Sequence, residues 1–249
     1  MSKIKVFFFF FGQVAKYFVK KIIKEKQDLE LNVSTRKKTD TFLFEGLDLN
    51  SYEFNEEKID KNINTKIKEA DFILVSIPPI NDEDIVLKNF KETIKETNPK
   101  WITYLSATSV YGNHNGAWVT EGSKTKPTTT SGIVRLKAEN QWLRFSNENN
   151  SPLQIFRLSG IYSVQNNILK RLLSGQARIV KKDNHFFSRI HIEDIANILF
   201  ESLFKFKSGE IYNLSDDKPS SSEELTLYGA KILNIHNLKK IDIHEIESE

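Results

Sequence analysis

Six apolar residues in a row, Val6 to Phe11, stop at Gly12, and the apolar positions then step by four through Val14, Phe18 and Ile22. Lys16, Lys20 and Lys21 fall on the other faces. An unbroken apolar run suits a strand buried on both faces, and the four-residue step suits a helix lying along it. The stretch Lys3–Glu25 therefore predicts a buried strand, a tight turn and a helix, the opening β-α unit of a nucleotide-binding α/β domain.

The alternation continues. Strands are predicted at Leu29–Thr35, Phe72–Ile77, Trp101–Leu105 and Leu153–Leu158, with a looser strand region from Phe42 to Phe54. Helical spacing marks Ile59–Ala70, Ile85–Thr97 and Ser131–Ser146. Between them Gly112–Thr130 is polar, with glycines, Pro127 and three consecutive threonines, and a loop of that length inside a compact domain is usually functional. Beyond residue 160 the segments shorten, with helices near 167–174, 193–204 and 222–233 and brief strands near 177–180, 189–192 and 212–214. The fold class predicted is α/β, a Rossmann-type doubly wound parallel sheet of about six or seven strands. The expected division is a nucleotide-binding domain over 1–160 and a smaller, discontinuous C-terminal substrate region over 161–249.

Composition narrows the function classes. At 249 residues, 39% hydrophobic and 28% charged, the chain can bury a full core. Its net charge of +3 is spread along the length, with no basic tail or arginine patch, so nucleic acid is not an expected partner. The absence of cysteine excludes disulfides, thiolate catalysis and Cys-based metal sites, and suits a reducing cytoplasm. No apolar run approaches the roughly 20 residues of a membrane span, so no membrane association and a cytoplasmic location are expected. The five histidines are scattered, without H-E-x-x-H spacing, and no G-x-S-x-G elbow occurs; neither a metal site nor serine hydrolysis is expected.

Candidate binding residues cluster at predicted strand ends. Gly12, Gln13, Val14 and Ala15 would present backbone N–H groups and a helix N-terminus to a phosphate. Such a turn normally holds two or three glycines, whereas here phenylalanines occupy positions 9 and 10. Their rings either pack into the sheet or protrude where a dinucleotide would lie, and only the second placement blocks a ligand. At the end of the second strand, where Asp or Glu would bind the ribose hydroxyls of NAD, stand Thr35, Arg36, Lys37 and Lys38. Hydroxyls and cations suit a 2′-phosphate, favouring NADP over NAD. Ser76, Ile77 and Pro78, followed by Pro79, sit where the sheet edge should line a cofactor crevice.

The segment LSATSVYG (Leu105–Gly112) resembles one in the NAD-dependent epimerase/dehydratase family, the extended and atypical short-chain dehydrogenase/reductases, where it reads S-[ST]-x-x-V-Y-G. In the same order, SGIVRLKAENQWL resembles the helix bearing Y-x-x-x-K, FRLSGIYS the R-x-x-x-[IV]-Y-G-P strand, FSRIHIEDIANIL the IHVxD segment and YNLSDDKP the YN-[IV] strand. The resemblance spans nearly the whole chain. It implies an oxidoreductase or epimerase acting on a nucleotide sugar or another small carbonyl or hydroxyl substrate. In that family Ser/Thr and Tyr bind the substrate oxygen, Tyr is the acid/base and Lys lowers its pKa. Carried over by position, the Ser/Thr is Ala107, the Tyr is Ser131 and the Lys is Arg135, so all three differ. Candidate catalytic substitutes are Thr108, Tyr111, Ser131 and Arg135, the last also facing the nicotinamide side. His114 and Arg189 are candidate substrate contacts, although the arginine expected four residues before His191 is Phe187. The chain also closes at IHEIESE, earlier than family members usually do, so a reduced substrate lid is expected. The alternative reading is a non-catalytic nucleotide sensor or scaffold on the same fold; a third is that no dinucleotide binds.

Overall fold

Along the first strand, β1 (Ile4–Phe9), alternate side chains enter opposite cores: Phe8 packs with one cluster, Phe7 and Phe9 with the other. A strand buried on both faces belongs in the middle of a parallel sheet, and β1 lies there. The computed structural model describes residues 3–37, 41–80, 82–181, 185–238 and 240–242; Lys38 and His244 lie outside them.

In chain order the first elements are α1 (Gln13–Lys24), β2 (Leu29–Thr35), β3 (Phe42–Phe44), β4 (Leu47–Glu53), α2 (Ile63–Lys68), β5 (Phe72–Val75), α3 (Ile85–Thr97) and β6 (Trp101–Ala107). A 3-10 turn, Thr108–Tyr111, precedes the long loop. Then come α4 (Thr130–Asn149), β7 (Leu153–Leu158), β8 (Gly160–Tyr162), α5 (Ile168–Leu173), β9 (Ile179–Lys181), β10 (Arg189–His191), α6 (Ile192–Ser202), β11 (Ile211–Leu214), α7 (Ser222–Ile232) and β12 (Lys240–Asp242).

Among the described residues eight strands form one sheet in the order β11-β7-β6-β5-β1-β2-β4-β3, parallel throughout except for the β3–β4 pair. Chain order reverses across β1, with β2 on one side and β5 on the other. In folds of this kind ligands bind at such a switch point, beyond the carboxyl ends of the strands. Helices α1 and α6 cover one face and α2, α3 and α4 the other. The doubly wound α/β sheet predicted from the patterning is present.

Three details differ from the patterning. The sheet has eight strands, because β11 returns to pair with β7 and the 42–54 region is two strands. Those two strands form a hairpin through Glu45 and Gly46, at φ of 51° and 80°, the left-handed conformations a tight hairpin turn demands. Helix α2 is half the length expected, because Ile59 is bridged to Phe54 and the Asp60 N–H donates to Glu53, which holds the preceding residues extended. Among the described residues no helix is long and apolar enough to cross a membrane.

Candidate functional site

The turn after β1 is built around Phe10, whose φ of 76° is unusual for a bulky side chain. Such a conformation costs about 1–3 kcal/mol and needs outside support. Two serines supply it. The Phe10 N–H donates to Ser34 Oγ at 2.9 Å, and Ser76 Oγ lies 2.9 Å from the Phe10 carbonyl and 3.1 Å from that of Phe9. Phe10 thus stands where the first glycine of a G-x-G-x-x-G/A turn would supply the positive φ, with Gly12 as the second glycine and fully buried Ala15 in the close-packing third place.

The two phenylalanines have opposite fates. Phe9 is fully buried, its ring 4.9 Å from Phe7 and 5.4 Å from Phe90. The half-buried ring of Phe10 instead lies across the turn: a Cβ added to Gly12 would meet its Cε1 at 2.9 Å. The guanidinium of exposed Arg36 stands over the same ring, 5.8 Å from its centroid. Thr35 gives its hydroxyl to the Lys37 carbonyl at 2.7 Å, and Asn55 holds the Arg36 carbonyl at 2.8 Å. Gln13 is exposed and Val14 buried at the start of α1; Ile77 is buried and Pro78 exposed beyond β5.

At β6 the hydroxyls behave differently. Tyr111, only 2% exposed, accepts from Arg157 Nη1 at 2.8 Å and donates to Asn213 Oδ1 at 2.7 Å. Arg157 in turn forks onto buried Glu139, with Nη2 2.7 Å from Oε2, and Ser106 donates to Glu139 Oε1. Tyr111 is therefore committed to a buried network that joins β7, α4 and β11. Thr108 follows Ala107 and is half-buried, and Ser131 is exposed, with Oγ 3.4 Å from Thr129 Oγ1. Half-buried Arg135 donates from Nη1 to the Leu105 carbonyl at 3.0 Å. Behind it Tyr104 stacks on Trp142 at 5.9 Å; burial pushes its phenol pKa up while the Arg135 charge pulls against it. Asp84 caps α3 through Val86 and Leu87 N–H and accepts from Trp142 Nε1 at 2.8 Å, yet burial still raises its carboxyl pKa.

His114 is held in the loop, Nε2 3.1 Å from the Lys124 carbonyl. Arg189 lies in a separate cluster, donating to Ser220 Oγ at 2.8 Å and to the Phe187 carbonyl at 3.1 Å; burial lowers its pKa. A cavity of about 250 Å³ lies between α5 and α7, lined in part by Arg171, Arg178 and Thr226.

The structure thus gathers Gly12, Ser76 and Arg36 around Phe10, and sets Tyr111, Ser131 and Arg135 near the end of β6 without linking them into a relay. Glu139 and Asn213 were not among the candidate site residues, and Ser34 and Arg157 stood in quoted motifs without a role. Arg157 carried a signal, since a charge inside the strand LQIFRL must find a partner when buried.

No protein-family profile and no curated protein matches the sequence. Solved structures do match. A protein of unknown function from Silicibacter pomeroyi DSS is 26% identical over 98% of this chain and 83% of its own, with a TM-score of 0.83. The UDP-N-acetylglucosamine 4-epimerase of Bacillus cereus is 14% identical over 96% of this chain and 85% of its own, with a TM-score of 0.77. A dTDP-glucose 4,6-dehydratase of Bacillus anthracis str. Ames, solved with NAD, is 14% identical over 96% of this chain and 84% of its own, with a TM-score of 0.78. The fold is that of nucleotide-sugar epimerases and dehydratases.

Set against a dinucleotide, the site agrees in its switch point, Gly12, Ala15 and the start of α1, and disagrees at one side chain. With its ring across Gly12, Phe10 covers the backbone a pyrophosphate would approach.

Proposed function

We propose that this chain is an NADP-binding protein on the epimerase/dehydratase fold that has given up the tyrosine–lysine proton relay. The observation that carries the reading is the turn at the switch point, where Gly12 and buried Ala15 keep the backbone of a dinucleotide site and Arg36 stands at the end of β2. An arginine there suits a 2′-phosphate better than a ribose diol. Bound there, a nicotinamide dinucleotide would supply hydride chemistry, and the protein would supply position and charge. For acid/base work the chain offers little. The Tyr111 phenol is committed to Arg157 and Asn213, and Ser131 and Thr108 are alcohols, poor proton donors near neutrality. Arginine at 135 keeps a cation where the family has lysine, and its guanidinium is already given to the Leu105 carbonyl.

A second reading keeps an oxidoreductase or epimerase acting on a nucleotide sugar or another small carbonyl or hydroxyl compound. Its support is the grouping of Thr108 and Arg135 near the carboxyl end of β6.

Thermal unfolding with NADPH at a hundredfold excess over its Kd should show a gain of about 2.7 kcal/mol. Absence of any shift with NADPH or NADH sinks both readings. A shift without turnover across nucleotide sugars and simple carbonyls supports the binding protein, whereas turnover supports the enzyme.

A further inference from the structure

Phe10 is held by hydrogen bonds at its backbone, whereas its ring is held by packing alone. Its N–H is held by Ser34 and its carbonyl by Ser76, so both polar groups of its main chain are already partnered. The half-buried ring packs on one side against the core that α2, α3 and α4 cover, touches Gly12, and carries the guanidinium of Arg36 over it. Arg36 is exposed and makes no salt bridge among the described residues, so its charge is available to an incoming anion. Rotation about the Phe10 side chain alone would uncover Gly12 and the first N–H groups of α1.

We propose that Phe10 is an aromatic gate over the dinucleotide turn and that Arg36 is its latch. A 2′-phosphate takes Arg36 over from the ring and so compensates for opening the gate. NAD, with a hydroxyl at that place, must break the same contact without a replacement. The inference rests on the dinucleotide reading above and adds to it the residue that controls access.

The test is equilibrium titration of wild type, Phe10→Gly, Arg36→Ala and the double variant with NADH and NADPH, read by nicotinamide fluorescence. Glycine is the residue the φ of 76° favours, and Arg36 is exposed, so both variants should fold, which thermal unfolding checks. Phe10→Gly should tighten both cofactors, because the closed fraction that taxes affinity is gone. Arg36→Ala should weaken NADPH but tighten NADH about two- to fivefold, the range of an exposed cation–π contact. In the Phe10→Gly background the same arginine change should leave NADH unaffected. Cofactor binding by wild type with NADH affinity unchanged in both single variants overturns the gate and leaves the dinucleotide reading standing. Failure of wild type and Phe10→Gly to bind either cofactor overturns both.

Discussion

Arg157 donates from Nη1 to the phenol oxygen of Tyr111 at 2.8 Å, and its charge also stands over the tyrosine ring, 4.9 Å from the centroid. The phenol is thereby a structural acceptor, buried between strands, with its proton directed at Asn213. Tyr111→Phe should therefore cost about 1–3 kcal/mol of stability, because Arg157 and Asn213 each lose a buried partner. NADPH affinity should not change. Urea unfolding beside a cofactor titration checks this; unchanged stability with altered binding would place the phenol in the ligand site instead.

The pair Phe9 and Phe10 separates core from crevice. Phe9 is enclosed by Phe7, Phe54 and Phe90, so Phe9→Ala should cost about 3–5 kcal/mol in chemical denaturation, the usual range for emptying a buried aromatic site. A loss below about 1 kcal/mol would contradict its place between the sheet and α3.

Much of this architecture was legible. Uninterrupted apolar runs betray strands buried on both faces, and α3 begins and ends where its spacing indicates, with Asp84 as its cap. The hairpin at Glu45–Gly46 was hidden because glutamate seldom takes a positive φ. Position 10 was half legible. The missing glycine could be read, but strand alternation says nothing about Phe10, since the left-handed turn breaks the alternation there. Tyr111 looked available for chemistry because its partner is 102 residues away. Only when β11 joins β7, setting Asn213 opposite Arg157, does that partner arrive. Such long-range pairing has no local sequence signature.

Asp84 yields a pH prediction. Burial raises its folded pKa above the ordinary value near 3.9, so the folded state holds its proton more tightly than the unfolded chain. Its contribution to stability therefore grows as pH falls from the raised pKa toward the ordinary one, and is lost as pH rises through the raised value. The stability of wild type relative to Asp84→Asn should shift in favour of wild type on acidification across that window. Denaturant melts at several pH values measure the difference; a flat difference would contradict the burial argument.

The central claim is that the turn at Gly12 and the arginine at the end of β2 make an NADP site. The ratio of the NADH and NADPH dissociation constants for wild-type protein, measured by calorimetry at fixed salt, tests it most directly. NADPH should bind tighter by at least about tenfold, ~1.4 kcal/mol. Equal affinities, a preference for NADH, or no binding of either would contradict it.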